Sequence, residues 1–320
     1  MREPLELMQN KDRMTRQLDK EFISDLLGGQ LKELLDYVKR DNSLDLEIRE
    51  NYINIYYLGG NILKVSKNGN TYSFGFDFNY LKKWPFLQGT TILKHQTDQN
   101  WNSYFPLAKQ AMDFYFSKSA KEEREFQQLV VRENNYSSIA NSTDFFIIDI
   151  EYDNKAGARF DIVAVEWPSV ASIRKLHNGF KPKLVVIEMK YGDGALTGSA
   201  GMKKHCEDFN SFVSNATCLN DFKSEMLTVF KQKRLLGLIP CLSESGNKND
   251  FKEFDNEIDL IFLIANHDPA SSKLQTELIG LQNENVKFIT SNFMGYGFYN
   301  HNIFNLNQFL IRFSSQIYEL

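Results

Sequence analysis

Glu188 and Lys190 close the run LVVIEMK (184–190), and Asp161 sits near the start of ARFDIVAVEW (158–167). In an extended chain successive side chains alternate between faces, so residues two apart share one. Val186, Glu188 and Lys190 therefore fall on one side and Val185, Ile187 and Met189 on the other, while Asp161 shares its side with Val163 and Val165. If the two runs are neighbouring strands, about 4.8 Å apart, both carboxylates and the ammonium reach a common point. Two acids brought together out of water repel and take up protons. A divalent cation removes that conflict, and oxygen donors suit Mg²⁺ or Mn²⁺. An ammonium on the same face would orient an attacking water or stabilise charge growing on a phosphate. The competing reading of an acid-x-lysine strand end is a plain ion pair, on a solvated edge or in an internal network.

These residues need a sheet to hold them. The apolar runs DFFIIDIEY (144–152), ARFDIVAVEW and KLVVIEMKY (183–191) read as three strands. Before them, residues 107–133 carry helical periodicity, as one helix or as two joined near Ser117 to Ser119. After them come the glycine-rich YGDGALTGSAG (191–201), a helix from Met202, helical texture to about Leu236, a strand IDLIFLIAN (258–266), a helix near Leu274 to Leu281, and VKFIT (286–290) as a last strand. Strands alternating with helices in this way predict an α/β layer architecture. Further upstream, residues 15–41 suggest two short helices. YINIYYL, NILKVS and TYSFGFDF, separated by Gly59-Gly60 and Asn68-Gly69, then suggest a three-stranded meander, because tight hairpin turns need positive φ. Residues from Trp84 to Pro106 lack a period and read as a linker. The predicted division is an N-terminal helical and β-meander lobe over 1–105 and a second domain over 106–320.

Further candidates flank the strands. Lys203, Lys204, His205 and Asp208 fall at the start of the helix after the glycine-rich stretch, where backbone N–H groups favour an anion such as a nucleic-acid phosphate. His205, with Asp208 three residues on, is a candidate to position that phosphate or to transfer a proton; the alternative is a structural histidine. Asp149 and Glu151 on the first strand either reach the cleft or face solvent at an edge. The stretch FMGYGFYNHNIF (293–304) reads as a packed terminal segment rather than a base-stacking surface.

Asp161 followed by Glu188-Met189-Lys190, 27 residues on, in the order helix, strand, strand, strand, helix, strand, resembles the PD-(D/E)XK nuclease superfamily over about residues 107–265. Phe160 stands where the family motif carries proline, while the three charged positions are intact. The resemblance implies a restriction-endonuclease-like core, a mixed central sheet flanked by helices. It also implies Mg²⁺ or Mn²⁺ held by Asp161, Glu188 and the Met189 carbonyl, with Lys190 orienting the water. Members of the family often add a glutamate from the preceding helix. With Phe126 and Val130 toward the sheet, Glu123 and Gln127 lie about 40° apart around that helix. Glu123 is the choice, Glu122 and Glu125 are the alternatives, and Gln127 joins Lys203, Lys204 and His205 as a substrate contact.

The expected function is metal-dependent hydrolysis of phosphodiester bonds in a nucleic acid, DNA ahead of RNA. The alternative is an inactive module of the same fold that binds nucleic acid or a protein. A net charge of −4 argues against a general basic nucleic-acid binder but leaves room for a local grip through a cation. No GxxxxGK[ST] loop, HExxH or GxSxG motif occurs. Cys206, Cys218 and Cys241, an odd number without CxxC spacing, suggest reduced structural thiols. No run is long and apolar enough for a membrane helix, and the start has no signal-peptide core, so the expected location is cytoplasmic. Expected partners are a nucleic acid, a protein at the N-terminal lobe and, for a homodimer, a second copy of the chain.

Overall fold

A computed structural model describes residues 15–82, 100–137, 142–154, 159–174, 180–198, 201–239, 251–268, 271–281, 286–291 and 295–318. Cys241 and most of the expected linker lie outside these residues. The N-terminal part opens with α1 (Lys20–Gly28) and α2 (Lys32–Arg40), two short helices as their spacing predicts. Asp19 caps α1 by accepting from the Phe22 N–H at 2.7 Å. A meander follows: β1 (Asp45–Ile48), β2 (Tyr52–Tyr57), β3 (Gly60–Asn68) and β4 (Thr71–Gly75), in that order and antiparallel throughout. It has four strands, not three. The unanticipated β1 reads DLEI and is buried along its whole length, acids included, so it lacks the apolar signature of a buried strand. The turn between β2 and β3 is Leu58-Gly59, both at positive φ.

Helix α3 (Trp101–Phe116) comes next, then α4 (Glu122–Val131) after a break at 117–121. A boundary drawn at 105/106 therefore cuts α3. The helix starts at the cap Asn100, which accepts from the Ser103 N–H at 3.2 Å, and it runs through Pro106. Pro106, a residue type that more often ends helices, lies only six residues from the start, close to the turn whose N–H groups have no partner in the helix anyway.

The second sheet holds β5 (Phe145–Asp153), β6 (Arg159–Glu166), β7 (Lys183–Tyr191), β8 (Ile258–Ala265), β9 (Val286–Thr290) and β10 (Phe304–Asn305), in the order β10-β9-β8-β7-β6-β5. Pairs β5–β6, β6–β7 and β9–β10 are antiparallel; β7–β8 and β8–β9 are parallel. VKFIT is thus not the last strand, since β10 and a final helix α8 (Leu306–Tyr318) follow it. Helices α5 (Met202–Ser214) and α6 (Ala216–Leu235) cover one face with Met202, Phe209, Phe222, Met226 and Phe230, packed with Leu184 and Val186 of β7. The other face buries Val185, Ile187 and Met189 beneath Val130 and Val131 of α4. Alternation along β7 thus feeds two separate apolar layers, the pattern of a mixed α/β architecture. A short helix α7 (Lys273–Ile279) completes the α/β alternation.

The meander packs directly against the second sheet. Its apolar residues Leu46, Ile48, Ile53 and Ile55 belong to the same continuous core as Leu184, Phe230 and Phe262. Buried charges join the two parts as well: Arg16 and Arg49 both pair with Asp149 of β5, the latter at 2.6 Å, and Lys233 of α6 meets Glu47 of β1 at 2.7 Å. Asp149, one of two residues considered for an edge or cleft position, is therefore internal.

Candidate active site

Strands β6 and β7 pair from Glu166↔Lys183 to Ile162↔Ile187, and there the ladder stops. β7 continues, still paired with β8, as far as Tyr191↔Ala265. The Met189 N–H next along β7 donates instead to Asp161 Oδ2 at 2.8 Å, so a side chain replaces the partner strand. The two strands fork here, and a cleft of about 460 Å³ opens at the fork. Glu188, Lys190 and Asp161 line it together, and Val163 and Val186, each two residues from one of the acids, share one apolar layer.

Two helices reach the same cleft from opposite faces of the sheet. Glu123, in the first turn of α4, and His205, in the first turn of α5, both line it. His205 Nδ1 lies 2.9 Å from Glu188 Oε2, and Lys190 Nζ lies 3.9 Å from the same oxygen. Glu188 and Lys190 are almost wholly buried, at 2 and 4% exposure. Glu188 Oε1 is buried without a hydrogen-bond partner. Helix α4 is held in place by Gln128, whose side-chain oxygen accepts from the Gly59 N–H at 2.8 Å while its amide donates to the carbonyls of Ser43 and Tyr56.

The electrostatics follow from burial. Desolvation raises the Glu188 pKa to about 7 even though Lys190 and then hydrogen bonding from Asp161 work against it. Asp161 is raised well above the usual carboxylate range, first by burial and then by the charge of Glu188, with the Met189 N–H opposing. Glu123 is also raised, by burial, with Lys190 opposing and Glu151 adding to the rise. Asp149 provides an internal contrast. Burial works to raise its pKa too, but Arg16 and Arg49 more than offset that and leave it lowered. One acid group of this protein is thus fully neutralised by its own arginines, and the other is not.

The remaining candidates sit elsewhere. Lys203 and Lys204 are exposed and do not line the cleft; Lys204 pairs with Asp208 one helical turn on, which leaves His205 to Glu188. Gln127 is buried, away from the cleft lining, with its amide nitrogen lacking a hydrogen-bond partner. Glu122 and Glu125 also stay outside the lining. Cys206 lies buried behind His205, its thiol pushed up to about 12 by burial, and Cys218 is likewise a free thiol.

Five lining residues were not among the candidates: Tyr152, Asp153, Arg159, Phe160 and Ala195. Period two does place Arg159 on the Asp161 side, two residues earlier. Glu151 lines the cleft through a local anomaly, a non-glycine residue at φ 54° beside the end of β5, which no residue pattern announces. Among the described residues no three His, Cys, Asp or Glu side chains are grouped as a metal site, and no helix is long and apolar enough to cross a membrane. Compared with known proteins, the chain matches no family model, no curated protein and no solved structure.

Proposed function

We propose that this chain is a Mg²⁺- or Mn²⁺-dependent nuclease of the PD-(D/E)XK type, with α4, β5 to β7, α5 and β8 as its restriction-endonuclease-like core. The observation that carries this reading is the meeting of Asp161, Glu188, Lys190 and Glu123 in one cleft, with a buried Glu188 oxygen that has no partner. The preference for DNA over RNA rests on the resemblance alone.

The donor set fits a hard divalent cation. Two carboxylates with raised pKa values gain from a positive charge between them, and Mg²⁺ tolerates few protein ligands because it keeps water and substrate oxygens in its shell. Asp161 and Glu188 would hold the ion, with the Met189 carbonyl as a third oxygen. When bound, the cation neutralises phosphate charge and makes water a better nucleophile.

The chain's own groups have separate tasks. The contact from His205 to Oε2 fixes the rotation of the Glu188 carboxylate and leaves Oε1 as its remaining donor. Asp161 is fixed in the same way by the Met189 N–H. Lys190 orients the attacking water and stabilises the charge that grows on the phosphate as the water oxygen bonds to phosphorus and the ester P–O bond breaks. Glu123, whose raised pKa makes its carboxylate a better base, takes the proton from the water.

The test is cleavage of supercoiled plasmid and of a single-stranded oligonucleotide with Mg²⁺ or Mn²⁺, against a chelator control. Glu188→Ala and Lys190→Ala are each expected to lower the rate by about a hundredfold or more. Cleavage equal to the parent in both variants, or none by the parent with either ion, would overturn the assignment.

A further inference from the structure

The cleft presents a puzzle for a polyanionic substrate. Glu123, Glu151, Asp153, Asp161 and Glu188 all line it, and the chain carries a net charge of −4. A metal ion offsets the acids at the reacting phosphate only. The neighbouring phosphates need cations of their own at the rim. The lysines of α5 do not line the cleft, but two arginines stand at or beside its wall.

Arg159, two residues before Asp161 on β6, lines the cleft with its side chain 80% exposed and rests through Nε on Asp153 Oδ2 at 3.0 Å. Arg124, next to Glu123 on α4, is 45% exposed and rests through Nη2 on Glu151 Oε2 at 3.3 Å. Arg124 directly follows Glu123 and Arg159 lies two residues before Asp161, and each is held by a carboxylate from the end of β5. Exposed pairs of this kind contribute little to stability. A guanidinium has five N–H donors in a fork, so the Nε contact of Arg159 leaves most of the fork for another acceptor. Phosphate matches that fork in two parallel hydrogen bonds, which a single-point carboxylate contact does not supply.

We propose that Arg159 and Arg124 are the backbone grips of this nuclease, parked on Asp153 and Glu151 in the free protein and passed to phosphates on either side of the scissile one when substrate enters. The two acids then act as competitors for the arginines. Removing Asp153 frees Arg159 and tightens binding; removing Arg159 weakens it. The inference rests on the nuclease reading and concerns a different step, binding rather than hydrolysis.

The experiment is fluorescence anisotropy of a labelled DNA duplex with the full chain in Mg²⁺, in a Lys190→Ala background so that binding is read without turnover. Salt is varied from about 50 to 200 mM, and circular dichroism verifies folding of each variant. Arg159→Ala is expected to weaken binding roughly tenfold and to reduce the slope of log Kd against log salt by about one; Arg124→Ala acts in the same direction. Arg159→Lys falls between, and Asp153→Asn tightens binding several-fold. Unchanged affinity and slope in Arg159→Ala, or weaker binding in Asp153→Asn, overturns the grip while the nuclease assignment stands. A parent chain that neither binds duplex at low salt nor cleaves it overturns that assignment, and the grip with it.

Discussion

Glu188 combines near-complete burial, an ammonium 3.9 Å away and a carboxylate oxygen with no partner. Such a group costs stability when charged. Its pKa of about 7 in the folded protein stands above that of an unfolded glutamate, so its stabilising contribution is fully present below the unfolded value of about 4.5 and is lost as pH rises through 7. Asp161, also raised, adds to the loss in the same direction. The chelator-treated protein should therefore lose melting temperature between about pH 5 and 8, and Mg²⁺ should restore it more at pH 8 than at pH 5.5. Glu188→Gln removes the Glu188 part of the fall and most of the response to Mg²⁺. Thermal scans at the two pH values, with and without the ion, decide this; equal Mg²⁺ shifts at both, or in parent and variant alike, would contradict it. Asp161, Glu188 and Lys190 were legible in the sequence because period two is strict along a strand. His205 was legible as a candidate but its partner was not, since Asp208, three residues away, is taken by Lys204 and Glu188 lies on another element.

At the scale of elements, the cleft depends on how α4 is seated. Gly59, at φ +70°, approaches this helix so closely that a Cβ there would stand 2.3 Å from Arg124 Cβ and 2.4 Å from its carbonyl carbon. Gln128 fastens the junction from the helix side with bonds to three backbone groups of the N-terminal part. Gln128→Ala leaves those partners, one of them the buried Gly59 N–H, to find others and should cost about 1–3 kcal/mol in urea denaturation. Gly59→Ala, strained by both φ and contact, should cost at least as much. Both should slow cleavage by displacing Glu123, while Mn²⁺ affinity at Asp161 and Glu188 stays near the parent value. Variants as stable and as active as the parent would show that the meander does not seat α4. The three central strands and both helix pairs were legible from apolar periodicity. The first meander strand was not, because Asp45 and Glu47 interrupt its apolar residues, and the partner of Glu47, Lys233, lies 186 residues away in the chain. The kink at Glu151 and the course of α3 through Pro106 were hidden for a related reason: both are tertiary outcomes that local residue types oppose.

For the whole molecule, the N-terminal part is a structural neighbour of the candidate cleft. Arg16 and Arg49 neutralise Asp149 two residues before Glu151, and Arg16 also donates to the Glu151 carbonyl at 3.3 Å, so the wall that parks the rim arginines is itself held from the N-terminal side. The same chain thus contains a buried aspartate, Asp149, offset by two arginines, beside an acid pair at the cleft that no arginine offsets. That deficiency is the central claim, and isothermal calorimetry with Mn²⁺ near pH 7.5 measures it most directly. The account predicts binding by the parent and by Lys190→Ala, with that binding lost in Asp161→Asn and Glu188→Gln. No binding by the parent, or binding unchanged in both carboxylate variants, would contradict it.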